Sequence, residues 1–412
     1  MKAEDISEAM NNINEDFIES ANERRKPKSR KSTWIKWVSA AAAIAVFAFA
    51  GARAFVPDRP EQNDNPVGGT ESEYGSALPI LEYIENDATA YGFEGYMAYD
   101  ISELENGNPW NEKMAFEALP VFRNNSFNEV GIAYPGIGEE AMLKKLNSIT
   151  GGEHGEIEYS RVGDFSSGTG IPDDFVDRIE ADFGEITIEL QSNGGIVAKY
   201  NGFEGVELPE GYSFTYSNTS EGEAFETIKY IHQNYSDIIG LPEATFVTSK
   251  EYTFSGEEIR DYNIYDFSGD EISDMLNFSF NEVQLAPNDE GKLMLIRIND
   301  KLSCAEKIGD YPIISTEEAK NMLLDGGYIT TVPYEMPGEK YIANTELIYR
   351  SGIGENIWMP YYRFLVELPE MDQENGLKNF GAYYVPAVEA KYITGLPLWN
   401  GSLVICQTKC NS

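Results

Sequence analysis

Histidines are the first residues to consider, because most acid–base and nucleophilic catalysis in proteins passes through an imidazole. The chain has 412 residues and only two histidines, His154 and His232. His154 lies in the Gly-rich segment TGGEHGE, and His232 lies beside the apolar stripe of a predicted helix, where packed or surface histidines are common. The segment GDFSSGTG lacks the G-x-S-x-G spacing of a nucleophile elbow. We therefore predict no catalytic residues and a protein that is not an enzyme.

Carboxylates are abundant, and two of them in a cleft could act as the acid and base of a glycosidase. Segment 171–185, IPDDFVDRIEADFGE, holds the densest group, in which Asp173 and Asp177 are the candidates for a hydrolase. Segments 265–274 and 287–291 are acidic enough to suggest calcium, but neither has the D-x-[DN]-x-[DN]-G spacing of a calcium loop. Turns and solvated surface are the favoured interpretation of all these acids.

The segment Gly136-x-Gly138-x-x-Ala141 has the form of a dinucleotide fingerprint at a helix start. Glu139 and Glu140 occupy that start, where a pyrophosphate would meet two carboxylates. An ordinary helix cap is therefore the favoured interpretation, and we predict no cofactor.

Cys304, Cys406 and Cys410 are the only cysteines of the chain. They are too few for a disulfide framework, and they predict free thiols or at most one disulfide. The Cys406-x-x-x-Cys410 pair has no histidine or further cysteine near it in sequence, so we predict no metal site.

The charge of the chain is unevenly distributed. Its formal net charge is −38, and residues 57–412 hold 22 basic against 62 acidic residues. Such a polyanion repels nucleic acid and anionic lipid, so neither is an expected partner. The same surface also favours solubility without implying any ligand.

Residues 37–56 form an apolar run that contains one charge, Arg53. As a helix the run would be about 30 Å long, which matches the hydrocarbon core of a bilayer. Seven Lys and Arg between positions 24 and 36 precede it, and an acidic, Pro- and Gly-rich stalk, 57–77, follows. The positive-inside rule then predicts a single-pass protein of the cell membrane with a cytosolic N-terminus and an extracellular C-terminal region. Cleavage as a signal peptide at Ala52-Arg53-Ala54 is the alternative.

Residues 1–36 are predicted to form a cytosolic helical head followed by the basic cluster. Ile6, Met10, Ile13 and Phe17 fall on one face at helical spacing, with polar residues opposite. A helix of this length is marginal in water unless its apolar stripe packs on something. We predict that these four residues contact a protein partner; a helix lying on the inner membrane face is the alternative.

The remaining chain shows three places where a helix start precedes strands, which predicts an α+β fold of antiparallel sheets, each with a packed helix. The helices begin near Gly136, at the capping box Ser220-x-x-Glu223 and at the capping box Ser315-x-x-Glu318. Predicted strands follow at 185–190, 195–200, 277–285 and 292–298, with a turn at 288–291, and then in the aromatic-rich segments 345–351, 358–368 and 381–393. The predicted ectodomain regions are 78–215, 216–305 and 306–412.

The segments DYPIISTEEAKNMLLDGGY, ELIYRS, MPYYRFLVELP and YYVPAVEAKYI resemble, in this order, the C-terminal module of the YycH and YycI class of membrane-anchored regulators, and more loosely PepSY-type domains. The resemblance covers residues 308 to 395. The order of head, basic cluster, Ala-rich run and acidic stalk resembles clostridial-type single-pass regulators, including membrane-bound anti-sigma factors. These resemblances imply action by binding: the head engages a sigma factor or a sensor histidine kinase, and the external domain senses or restrains.

The expected function is therefore a non-enzymatic signalling regulator whose acidic ectodomain binds an envelope ligand or partner protein. A membrane-tethered envelope hydrolase and a passive wall- or solute-binding protein are the alternatives.

Overall fold

The computed structural model describes residues 78–84, 94–127, 132–163, 169–242, 244–253, 256–352, 354–371 and 375–398. The predicted head, apolar run and stalk, residues 1–77, lie outside these ranges. Within them, no helix combines the length and the apolar character needed to cross a bilayer.

The described residues form twenty strands and five α-helices. The strands are β1 Leu81–Glu82, β2 Gly95–Ala98, β3 Ala118–Asn124, β4 Glu158–Arg161, β5 Val176–Phe183, β6 Ile186–Gln191, β7 Ile196–Tyr200, β8 Thr245–Val247, β9 Lys250–Tyr252, β10 Glu258–Arg260, β11 Asn263–Tyr265, β12 Val283–Pro287, β13 Leu293–Ile298, β14 Ala305–Pro312, β15 Ile329–Thr330, β16 Ile342–Tyr349, β17 Ile357–Trp358, β18 Pro360–Glu367, β19 Lys378–Pro386 and β20 Ile393–Thr394. The helices are α1 Gly138–Thr150, α2 Glu221–Asn234, α3 Ser236–Ile239, α4 Glu271–Phe280 and α5 Thr316–Leu324.

The largest sheet has eight strands in the order β4-β5-β6-β7-β13-β12-β11-β8. Every neighbouring pair is antiparallel, and the central pair is β7 with β13. Helix α1 with β4–β7 forms one half, and α2 with β8 and β11–β13 forms the other. The first two predicted helix-strand units therefore share one sheet.

Three helices cover one face of this sheet. Met142 and Leu146 of α1 and Ile228 and Ile231 of α2 are buried against alternate strand residues such as Ile179. The predicted capping box of α2 is confirmed, since Ser220 and Glu223 cap each other's backbone N–H groups. Helix α2 ends at Asn234, and after a break at Tyr235 the chain continues as the short α3, which ends before Gly240.

The predicted strand 277–285 is wrong in its first half. Residues 271–280 form α4, whose N-cap is Asp270, and the strand β12 begins only at Val283. The physical reason is helical spacing, because Ile272, Met275 and Phe280 all pack on one core. The predicted turn after β12 is confirmed by the hydrogen bond from Asn288 N to Lys292 O, 3.0 Å, and by Gly291 at φ 80°.

The C-terminal sheet has the order β15-β19-β18-β16, and β2 pairs with β19 as well. All these pairs are antiparallel. Helix α5 packs on β19, and the predicted capping box of Ser315 and Glu318 is confirmed. The predicted α+β class with several antiparallel sheets is thus confirmed.

Both faces of the C-terminal sheet are buried. Tyr362, Phe364 and Val366 face the core that contains α5, whereas Tyr361 and Leu365 face a second core. This second core includes residues of β3 and β14, which belong with β17 to a separate three-stranded sheet. The remaining pairs are the parallel β1–β20 and the hairpin β9–β10.

The sheets join residues across the predicted region boundaries. Strand β7, before residue 216, pairs with β13, after it. Strands β2 and β3, from the first predicted region, pair with β19, β14 and β17 of the chain's last third. These sheets are therefore formed by strands that are distant from one another in sequence.

Candidate functional site

The predicted head residues Ile6, Met10, Ile13 and Phe17 lie outside the described residues, as do Cys406 and Cys410. Their assignment remains a prediction.

The histidines and the described cysteine each have structural partners. The His154 Nδ1 atom lies 2.9 Å from the carbonyl of Gly155. The His232 Nε2 atom lies 2.6 Å from the carbonyl oxygen of Leu241, and its ring is 5.4 Å from that of Phe246, as expected for a packed histidine. The buried thiol of Cys304 donates to Ser192 O at 3.5 Å, and burial raises the pKa of this thiol, which disfavours a reactive thiolate.

The acidic segments adopt capping and turn structures. Asp270 caps α4, and the Asp274 carboxylate accepts from the backbone N–H groups of Ser268 and Gly269. Asp173 is exposed, whereas Asp177 is half-buried and lines a cavity. In the part of the chain that the structure describes, no group of three His, Cys, Asp or Glu residues is placed to hold a metal ion.

The most unusual arrangement of side chains is a group of buried and half-buried charges where the eight-stranded sheet meets the C-terminal sheet. We define the charged junction as Glu282 and Lys301 from the eight-stranded side, with Glu94, Arg350 and Glu355 from the C-terminal side. Glu282 precedes β12 and Lys301 follows β13; Glu94 precedes β2, and Arg350 follows β16. The residues of the junction thus lie at or near strand ends of both sheets.

Arg350 is the centre of the C-terminal half of the junction. Its Nε donates to Glu355 Oε1 at 2.8 Å, and one of its terminal nitrogens lies 4.0 Å from Glu94 Oε2. Its guanidinium stacks 4.3 Å above the ring centroid of Tyr384, whose hydroxyl donates to Glu94. Arg350 is 8% exposed and Glu355 is 1% exposed, so both charges have lost most of their water.

The carboxylate of Glu355 is only half satisfied. Burial raises the pKa of Glu355 despite the opposing influence of Arg350. Its second oxygen, Oε2, is buried and has no hydrogen-bond partner among the described residues. An acid in this state favours its neutral form more than an exposed acid does.

Lys301 connects the two sheets. Its Nζ donates to Ser351 Oγ at 2.7 Å, and Ser351 in turn donates to the carbonyl oxygen of Ser279 in α4 at 3.2 Å. Burial lowers the pKa of Lys301 to about 7, although Glu355 and Glu282 oppose this shift. The charged form of Lys301 is therefore less favoured than that of an exposed lysine.

Glu282 completes the junction on the side of the eight-stranded sheet. Its Oε1 accepts from the hydroxyl of Tyr265 at 2.8 Å. Burial raises the pKa of Glu282, and the hydrogen bond from Tyr265 only partly counters this effect. The junction thus holds two acids whose charged forms are disfavoured and one lysine whose charged form is disfavoured.

A row of polar side chains extends from the junction across the C-terminal sheet. Arg363 of β18 faces Glu346 of β16 and Tyr384 of β19 in register, and its Nε donates to Glu346 Oε2 at 2.7 Å. Because Tyr384 also contacts Arg350, the row and the junction form one continuous set of contacts.

Sequence reasoning did not identify the junction. A signal was present, because Glu346 and Arg363 interrupt strands that are otherwise rich in aliphatic and aromatic residues. Their partners, however, are set by pairing between distant strands, which the pattern of a single sequence does not give.

The chain was compared with protein-family models, with curated proteins and with solved structures, and none of the three comparisons found a match.

Proposed function

We propose that the chain is a non-enzymatic, membrane-anchored signalling regulator. In this proposal residues 37–56 form the single transmembrane helix, the head contacts a sigma factor or a sensor histidine kinase in the cytosol, and the acidic ectodomain binds an envelope ligand or partner protein. The anchoring is supported by the sequence alone, through the basic cluster before the apolar run and the net charge of −40 over residues 57–412 after it.

The observation that carries the signalling part of the proposal is the charged junction. Apolar residues of similar volume would often hold two sheets together as well as buried ion pairs do, so a charged contact is weak evidence for a purely stabilising role. A contact that contains disfavoured charges can change its state when a proton, a ligand or a partner supplies the missing interaction. The junction is therefore a suitable place for the ectodomain to switch between two arrangements of its sheets.

A binding role, as opposed to catalysis, is further supported by the contacts of the side chains that could otherwise act as nucleophiles, acids or bases. His232 and Cys304 are held by backbone carbonyls in packed surroundings, and Asp270 and Asp274 organise a helix start. The positions of these residues are explained by the hydrogen bonds that they make within the fold.

The experiment that tests the proposal is capture of partners from native membranes. The intact protein and a form without residues 1–23 are purified by affinity, and bound proteins are identified by mass spectrometry. Two single variants refine the comparison: Phe17→Asp adds a charge to the predicted contact face, whereas Asn11→Asp adds the same charge to the polar face.

We expect a sigma factor or a histidine kinase to be captured by the intact protein and by Asn11→Asp, and to be lost with Phe17→Asp and with the truncated form. Equal capture by all four proteins would contradict the assigned role of the head. Capture of wall material alone would favour a passive binding protein.

A further inference from the structure

A cavity of about 160 Å³ lies at one end of the eight-stranded sheet, beside Asp177. Arg178, the turn Gln191–Asn193 and the segment Ile132–Ala133 complete its wall. A protein cavity of about 150 Å³ is large enough to hold a ligand of six heavy atoms. The space is therefore suited to a small organic group rather than to a single water molecule.

Asp177 is the residue whose hydrogen bonding is incomplete at this cavity. Its Oδ1 atom is buried, and no described residue donates a hydrogen bond to it. A buried carboxylate oxygen without a donor has lost hydrogen bonds to water and gained none in return, which is unfavourable. A ligand that brings a donor into the cavity would recover this free energy.

The polar groups around Asp177 are already engaged. Arg178 also lines the cavity, but its guanidinium is paired with Glu189 at 3.6 Å and donates to the Ser160 hydroxyl at 3.3 Å. Gln191 Nε2 donates to Glu189, and Asn193 Nδ2 donates to Gln191 Oε1. The unmet requirement of the cavity is therefore a hydrogen-bond donor that also carries positive charge.

The wall of the cavity is held in place without a ligand. Ile137 N donates to Ser192 O at 2.8 Å, Ser192 N donates to the Asp177 carbonyl at 2.7 Å, and Gly195 N donates to Asn193 Oδ1 at 2.8 Å. A preformed wall reduces the conformational entropy that binding must remove.

We propose that this cavity binds the primary ammonium group of a small amine or of a flexible amine-bearing chain, with Asp177 as the acceptor. An ammonium group supplies three N–H donors and one positive charge, and the cavity has room for a short alkyl segment behind it. The net charge of −38 raises the local concentration of cations around the protein. This inference goes beyond the proposed regulatory function, because amine binding at Asp177 is measured separately from partner capture by the head.

The test is saturation-transfer difference NMR on the full-length protein, with n-butylammonium as the probe and n-butanol as its neutral counterpart of similar size. Ionic strength is held constant with sodium chloride. We expect saturable binding of n-butylammonium with a dissociation constant of about 1 mM, and binding of n-butanol that is at least about tenfold weaker.

Two variants of the same strand separate the cavity from the general negative surface. Asp177→Asn removes the charge while keeping the shape of the side chain, and it is expected to weaken n-butylammonium binding at least about tenfold. Asp182→Asn removes an exposed charge that accepts from the Thr187 hydroxyl at 2.8 Å, and binding is expected to remain unchanged. Equal binding of the two probes, or equal weakening by the two variants, would overturn the proposal.

Discussion

Two lysines of this protein, one within the eight-stranded sheet and one at the charged junction, each lie near two glutamates, and their pKa values shift in opposite directions. Lys199, on the eight-stranded sheet, donates directly to Glu180 at 2.6 Å and to Glu189 at 2.7 Å. Lys301, at the charged junction, instead donates to the neutral hydroxyl of Ser351. Burial disfavours the charge of both lysines, but direct hydrogen bonds hold the pKa of Lys199 above its usual value, whereas the pKa of Lys301 falls to about 7.

The neighbouring acids show the same contrast. Burial disfavours the charged form of Glu189, yet hydrogen bonds from Gln191 and Lys199 hold its pKa below the usual range. Burial of Glu355 outweighs its contact with Arg350, and the pKa rises. The difference follows from exposure to solvent: Arg178 on β5, which pairs with Glu189 in the eight-stranded sheet, is 44% exposed, whereas the C-terminal sheet is covered on both faces.

The largest expected effect is the difference in lost stability between breaking an ion pair at the charged junction and breaking one in the eight-stranded sheet. Arg350→Met leaves Glu355 buried without its partner and should lower the free energy of unfolding by about 3 to 5 kcal/mol. Arg178→Met removes a solvent-screened partner of Glu189 and should cost less than about 1 kcal/mol. Urea unfolding, followed by the fluorescence of the buried Trp110 and Trp358, measures both.

The double variant Arg350→Met, Glu355→Met serves as the control, since it removes both charges and should recover much of the lost stability. A cost for Arg350→Met no larger than that for Arg178→Met would mean that the junction is as well solvated as the ion pair of Arg178 and Glu189.

The second-largest expected effect is a change in the free energy of unfolding with pH between pH 7 and 9. Because the pKa of Lys301 is about 7 in the folded protein and about 10.5 when unfolded, the unfolded chain binds one more proton in this interval. Stability should therefore rise with pH, by up to about 1.4 kcal/mol per pH unit from this group. Lys301→Met should remove this rise.

Lys199→Met should lower stability by an amount that does not vary over the same interval, because the raised pKa of Lys199 keeps it charged in both states. Unfolding midpoints at pH 7, 8 and 9 distinguish the two lysines. Parallel curves for the unmodified protein and Lys301→Met would show that Lys301 does not titrate there.

A smaller effect is expected at the hairpin β9–β10, which packs beside β2. Burial, helped by Asp261, raises the pKa of Glu251 to about 7. An acid whose pKa is raised by folding lowers the free energy of unfolding above that pKa, where it is charged, and has no such effect at low pH, where it is protonated in both states. Glu251→Gln should therefore stabilise the protein by about 1 to 3 kcal/mol at pH 8 and hardly at pH 4.5.

Glu258→Gln is the matched variant for this measurement. Glu258 lies on the adjacent strand and pairs with Lys250 at 3.1 Å, so its replacement should not stabilise the protein at either pH. A gain at pH 8 for both variants would point to general relief of negative charge instead of to the burial of Glu251.

The smallest expected effect is the loss of a helix cap, and it should be equal for α2, on the eight-stranded sheet, and α5, on the C-terminal sheet. Ser220→Ala and Ser315→Ala each remove the same capping box from α2 and α5, and each should cost about 1 kcal/mol. Unfolding measurements on the two variants check whether the contrast between the regions belongs to the sheets and not to their helices; a cost more than twice as large for one serine would contradict this.

The sequence predicted the elements that depend on local patterns. Capping boxes at Ser220 and Ser315, and the aromatic-rich strand predicted at 358–368, needed only neighbouring residues to be recognised. The error at 277–285 arose because a short apolar segment fits both periods, and the cap at Asp270 was taken for a turn.

The junction and the cavity were beyond local patterns for a different reason. Lys301 and Ser351 are 50 residues apart, and the ring of Tyr384 meets Arg350 only because β19 and β16 belong to one sheet. Asp177 was a candidate acid from its sequence context, but its unpaired oxygen depends on the turn that closes over it.

The most direct measurement is the titration of lysine side chains in the full-length protein carrying ¹³C at the lysine ε position. The burial of charge at the junction predicts one resonance that titrates near pH 7 and is absent from Lys301→Met, while the Lys199 resonance stays constant up to pH 10. If every lysine, including Lys301, titrates above pH 10, the charges of the junction are solvated and the contrast between the two sheets is wrong.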